Sequence, residues 1–103
     1  MLTNEKVLEV FKDYLSQDPD YEVVMTSHGY TVMGWDDVGK DWRDVQYCGT
    51  PEALRDALLD DYGEYLMYLA TLNGCDPDRD LTESEKTEIQ AKQDVMLKKC
   101  QVD

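Results

Sequence analysis

Apolar residues recur at Leu54, Ala57, Leu58, Tyr62, Tyr65, Leu66, Leu69 and Leu72, in steps of three and four that draw one continuous stripe along a helix. The stretch from Thr50 to Gly74 therefore reads as one long amphipathic helix, and its ends agree. The Thr50 hydroxyl can accept a hydrogen bond from an orphan amide of the first turn, and Pro51 falls where a missing N–H costs nothing. Glu52 complements the positive end of the helix dipole. Asn73-Gly74 supplies the left-handed conformation that ends helices, and Pro77 prevents resumption. At a rise of ~1.5 Å per residue the helix is roughly 34 Å long, enough to cross a small domain. Its stripe must bury against something.

The remaining segments supply that partner. Thr3 caps a first helix over residues 4–17, with Val7, Leu8, Phe11, Tyr14 and Leu15 on one face and Asp18-Pro19 as its stop. The period then changes from helical to alternating. Residues 21–27 and 30–35 read as strands around a two-residue His28-Gly29 turn, which pairs Met25 with Val32 and Thr26 with Thr31. Tyr21, Val23, Met25, Tyr30 and Val32 then share one face, and Glu22, Thr26 and Thr31 the other. Residues 44–48 predict a third strand with Val45 and Tyr47 inward. Thr82 with Glu85 three residues on is a capping box, so a last helix runs from Glu83 to near Lys99. Its apolar content is thin, chiefly Ile89, Met96 and Cys100, so it docks on a narrow seam or frays. The fold class is α+β, in the order α-β-β-β-α-α: a three-stranded antiparallel β-meander with helices packed on one face. The length of 103 residues suits one small domain over residues 1–103.

Charge changes the picture. Twenty-three acids against ten Lys and Arg give a formal net charge of −13, which disfavours direct contact with nucleic acid phosphates or anionic membrane surfaces. No apolar run reaches the ~18 residues that a membrane span needs, and the N-terminus has a helical rather than a signal-peptide pattern, so a cytoplasmic protein is expected. Cys48, Cys75 and Cys100 are odd in number and widely spaced, which argues for reduced thiols rather than disulfides or a zinc site.

Three segments are candidates for function. On the central helix Glu52, Asp56, Asp60 and Glu64 stand one turn apart opposite the leucine stripe, with Asp61 beside them and Arg55 as the one nearby cation. Such a run is usually a solvated face; as a site it would steer a basic partner. The connection from Trp35 to Asp44 contains Trp35, Asp36, Asp37, Asp41 and Trp42, large contact area beside charge, as at binding hot spots; the plain alternative is a β-connection whose tryptophans cap the sheet edge. Asp76, Asp78 and Asp80 begin like a calcium loop, but Leu81 stands where glycine is required and Thr87 where a bidentate glutamate is needed. His28 is the only histidine and sits at a predicted turn. Neither a nucleophile elbow nor a Gly-rich phosphate loop is present, so no catalytic residue and no cofactor are expected.

These readings converge on a small acidic, non-enzymatic protein that binds a basic partner protein through Glu52, Asp56, Asp60, Asp61 and Glu64, aided by the tryptophan segment. A narrower version is a nucleic-acid mimic occupying the groove of a DNA- or RNA-processing enzyme, by the logic of antirestriction and anti-CRISPR inhibitors. Its rivals are a calcium-binding module through the 76–88 loop, and a homodimer pairing through Met67, Tyr68 and Leu59.

Overall fold

The structure, a computed structural model, describes residues 2–18, 21–27, 29–36, 38–73 and 80–101, and among these the side chains of all but 44, 72 and 73. The elements are α1 (Asn4–Val10), α2 (Lys12–Gln17), β1 (Tyr21–Thr26), β2 (Gly29–Asp36), β3 (Asp41–Cys48), α3 (Pro51–Asn73) and α4 (Glu83–Lys99). The sheet is an antiparallel meander in the order β1-β2-β3, with the helices on one face. The expected α+β arrangement is the one observed. The first helix, expected as one piece, is two: the backbone departs from helical geometry at Phe11, whose fully buried ring anchors the joint.

Local chemistry explains the element ends. The Thr3 hydroxyl accepts from the Lys6 amide at 3.1 Å, and the Thr50 hydroxyl from the Ala53 amide at 3.1 Å. At α4 the capping box is complete: the Glu85 amide donates to Thr82 Oγ1 at 3.2 Å, and the Thr82 amide to Glu85 Oε1 at 2.9 Å.

The β1–β2 hairpin departs from expectation. Thr26 pairs with Gly29 and Met25 with Tyr30, so Gly29, expected in the turn, is the first residue of β2. Gly29 closes the hairpin at φ +103°, and a Cβ there would meet the Cys48 carbonyl oxygen at 3.0 Å, so glycine is required at the closing position. The register is displaced by two residues, and an even displacement leaves every side chain on its expected face.

The third strand corrects two more expectations. It starts at Asp41 rather than Asp44, converting most of the tryptophan connection into paired strand. Tyr30 pairs with Cys48 and Val32 with Gln46, whereas Gly34 pairs with Arg43. Two β3 residues, Asp44 and Val45, thus stand against Met33 alone, which is a β-bulge. Cys48, not Tyr47, turns inward: Cys48 is buried, whereas Val45 and Tyr47 are exposed.

Between sheet and helices lies a core of Val7, Phe11, Tyr14, Val32, Cys48, Leu54, Ala57 and Leu58, closed at one end by Met96 of α4 and by Cys100 at its C-cap. Burying a side chain the size of Leu54, Leu58 or Phe11 stabilises by about 1.5–3 kcal/mol each. The last helix docks. Its seam is Ile89, Gln93, Met96 and Cys100, spaced four-three-four, and the Gln93 side-chain amide donates to the Leu59 carbonyl at 3.0 Å over the flat backbone of Gly63. Extents of 40 × 38 × 18 Å describe a slab. Its thickness is what one sheet and one helical layer give.

Candidate functional site

The long helix positions the acidic ladder. Residues facing the sheet hold α3 by Leu54, Ala57 and Leu58, so the opposite flank must meet water, and Glu52, Asp56, Asp60 and Glu64 are all exposed there. Twelve residues at ~1.5 Å each spread the four carboxylates over about 18 Å. Arg55 Nε contacts Asp56 Oδ1 at 2.9 Å, and among the described residues it is the one cation that pairs with the ladder. The Tyr21 hydroxyl donates to Glu64 Oε2 at 3.3 Å, tying the ladder's end to β1.

Asp61 is not part of that surface. Expected beside the ladder, it is only 4% exposed and lies in the helix–sheet layer. The spacing of Leu54, Leu58, Asp61 and Tyr65 is four-three-four, so Asp61 occupies a position of the leucine stripe itself, and its charge, not its place, suggested otherwise.

Asp61 belongs to a buried polar group that the sequence patterns do not reveal. The Tyr14 hydroxyl donates to Asp18 Oδ2 at 2.8 Å, and both residues are buried. Burial first, and that hydrogen bond second, push the Tyr14 phenol far above its ordinary value of 10.0, with Asp61 adding to the effect. The Tyr14 ring lies 5.2 Å from Tyr62 and 5.5 Å from Tyr65, centroid to centroid, so the group is braced by aromatic packing. Burial also raises the Cys48 thiol, with Asp61 contributing, and raises Cys100. Thiols held protonated are poor nucleophiles, and both are free rather than bridged.

Most of the tryptophan segment is paired strand rather than loop. Trp35 pairs with Trp42 across β2 and β3, ring centroids 5.1 Å apart and planes at 66°. Asp36 is committed to the turn: its Oδ1 accepts from the Val38 amide at 3.0 Å and its Oδ2 meets Arg43 Nε at 3.0 Å. Asp41, directly opposite, is exposed. Asp37, His28, Asp76, Asp78 and Cys75 lie outside the described residues. Asp80 is exposed, and the Glu85 carboxylate is occupied as a helix cap. Among the described residues no group of three or more His, Cys, Asp and Glu is placed to hold a metal ion, and no helix is long and apolar enough to cross a membrane.

Of the surface expected to pair two copies, Met67 and Tyr68 are 46% and 58% exposed, whereas Leu59 packs against the core. Open clefts lie among the described residues. One of about 420 Å³ is walled by Leu8, Leu15, Asp18, Tyr21, Glu22 and Val23; another, of about 290 Å³, lies where α2, α3 and α4 meet. Compared with protein-family models, with curated proteins and with solved structures, the chain matches none.

Proposed function

We propose that this protein acts by binding a basic partner protein, with Glu52, Asp56, Asp60 and Glu64 of α3 as the principal contact. The observation that carries the reading is the combination of four exposed carboxylates at single-turn spacing with one paired cation among them. Like charges at i, i+4 oppose helix formation by ~0.2–0.5 kcal/mol per pair, an arrangement that a helix selected only for stability avoids by interleaving lysine. As a binding surface the same ladder offers long-range attraction and accelerates encounter with a cationic face.

A narrower reading follows from the regularity of the ladder. Evenly spaced negative charge on a straight rod is also what a nucleic acid strand presents, so the partner's cationic surface can be the substrate groove of a DNA- or RNA-processing enzyme, which the protein would inhibit by occupying it.

The test is capture of partners from a lysate of the cells that make the protein, at low and high salt, by wild type and by an Asp56→Asn, Asp60→Asn, Glu64→Gln variant. A basic protein held by wild type, released by salt and lost by the variant is the expected result; its capture by both proteins alike would leave the ladder a solubilising face. The narrower reading further requires that the captured enzyme lose activity on adding wild type and not on adding the variant.

A further inference from the structure

Among the described residues, the register leaves one side of the sheet without helices. Glu22 opposite Met33, Val24 opposite Thr31, Thr31 opposite Tyr47 and Trp35 opposite Trp42 all project away from the core, because Tyr21, Val23, Tyr30, Val32 and Cys48 take the helix side. Thr31 forms the floor of this outer face, buried between its neighbours and hydrogen-bonded to Thr26 Oγ1 at 3.1 Å. Around it stand Val24, Met33 and Trp35, half-buried, and Trp42 and Tyr47, 40% and 67% exposed. The bulge in β3 is what brings Trp42 to this side: without the extra residue, alternation from Tyr47 would turn it towards the helices.

Composition marks the face as a contact surface. Tryptophan, tyrosine and methionine are concentrated, and charge is depleted, in the centres of protein interfaces. Among the described side chains here Glu22 is the one charged group, in a chain where 32% of residues are charged.

The charge also says what covers it. A second copy would bring the same apolar face with the same carboxylate and no cation to meet it, and two molecules of net charge −13 repel. A cationic partner has both complements: Glu22 on β1 for ion pairing, and the exposed Trp42 ring on β3 for stacking. Arginine fits such a face better than lysine, since its planar guanidinium is weakly hydrated and stacks on aromatic rings. We propose that the outer face of the sheet docks an arginine-bearing segment of a basic partner protein. The inference rests on the basic-partner reading, but it assigns a second surface, separate from the α3 ladder, and a preferred residue.

The chain has two tryptophans, Trp35 and Trp42, and both lie on this face, so their emission reports on it directly. The experiment titrates wild type with nona-arginine and with nona-lysine, following tryptophan emission and, in parallel, heat of binding. Three variants accompany it: Trp42→Ala, Glu22→Gln, and the neutralised ladder of Asp56→Asn, Asp60→Asn, Glu64→Gln. The expected result is a saturable change in emission with nona-arginine, severalfold tighter than with nona-lysine. It persists in the ladder variant and weakens about tenfold in Trp42→Ala, with a smaller loss in Glu22→Gln. Circular dichroism establishes that each variant is folded, and Glu22→Gln, an exposed and nearly isosteric change, serves as the test if Trp42→Ala is not. Binding without a change in emission, equal affinity for both peptides, or affinity untouched in Trp42→Ala and Glu22→Gln would overturn the inference. If the ladder variant alone abolishes binding, the α3 reading stands and the outer face is dismissed. A dimer seen by sedimentation and abolished by Trp42→Ala would assign the face to a second copy and overturn it equally.

Discussion

The Tyr14 hydroxyl illustrates how a single atom can commit a region to one arrangement. It is buried, donates to a buried carboxylate, and lies within reach of the Asp61 charge. Tyr14→Phe keeps the ring packing on Tyr62 and Tyr65 but leaves Asp18 without this donor, so equilibrium denaturation should show a loss of about 1–3 kcal/mol. The same residue has a pH signature. Tyr14, Cys48 and Cys100 all have folded-state values raised above their ordinary values of 10.0 and 9.0. The folded state therefore holds its protons where the unfolded chain releases them. The stability this represents is fully present below pH 9 and is lost as pH rises through 9 and beyond 10. Melting temperature measured from pH 7 to 11 should fall steeply above 9, and in Tyr14→Phe the portion above 10 should be shallower; an identical slope would remove Tyr14 from this account. Little of this was legible in the sequence. Asp18 reads as a helix stop and Asp61 as one more acid in an acidic run; the spacing that puts Asp61 in the leucine stripe was there, but burial of a carboxylate is so costly that pattern alone argues against it.

Elements were more legible than residues, and for a physical reason. The bounds of α3 and α4 are set by caps that act within four residues, Thr50-Pro51 and the Thr82–Glu85 box, and both helices begin where those local bonds require. Strand pairing depends on a partner tens of residues away and on the turn between. A slip of two residues in the first hairpin is invisible to alternation, and so is the β3 bulge that turns Trp42 to the outer face. The Gln93–Gly63 contact between α3 and α4 was not foreseen either, because it turns on an absence of side chain. At Gly63 a Cβ would stand 2.3 Å from Gln93 Nε2, so in Gly63→Ala the glutamine must swing off and release the Leu59 carbonyl. Losing that hydrogen bond costs about 0.5–1.5 kcal/mol, while replacing a mid-helix glycine with alanine contributes about 1 kcal/mol. The two nearly cancel, so Gly63→Ala alone should alter stability little. In a Gln93→Ala background the clash is absent and the same change should stabilise by about 1 kcal/mol. A double-mutant cycle by urea denaturation measures the difference; additive effects would mean that Gln93 and Gly63 are not coupled.

For the whole molecule the decisive quantity is the placement of negative charge rather than its sum. The α3 ladder opposes the helix that carries it, and the outer sheet face leaves two tryptophans and a tyrosine in contact with water; neither is what stability alone would select, and natural proteins depart from local optima chiefly where they function. That argument yields its own test. Asp60→Lys places a cation one turn from both Asp56 and Glu64, replacing two repulsive i, i+4 pairs with attractive ones. At low salt it should stabilise the protein by about 1 kcal/mol. The gain should shrink towards 1 M salt, where screening reaches ~3 Å. Measured beside partner binding, this one substitution separates the two meanings of the ladder. If Asp60→Lys is more stable and still binds, the carboxylates serve solubility and a lysine would serve as well. If it is more stable and binds at least tenfold more weakly, the repulsion is retained because the partner requires it, and the helix is less stable than it could be for the sake of its surface.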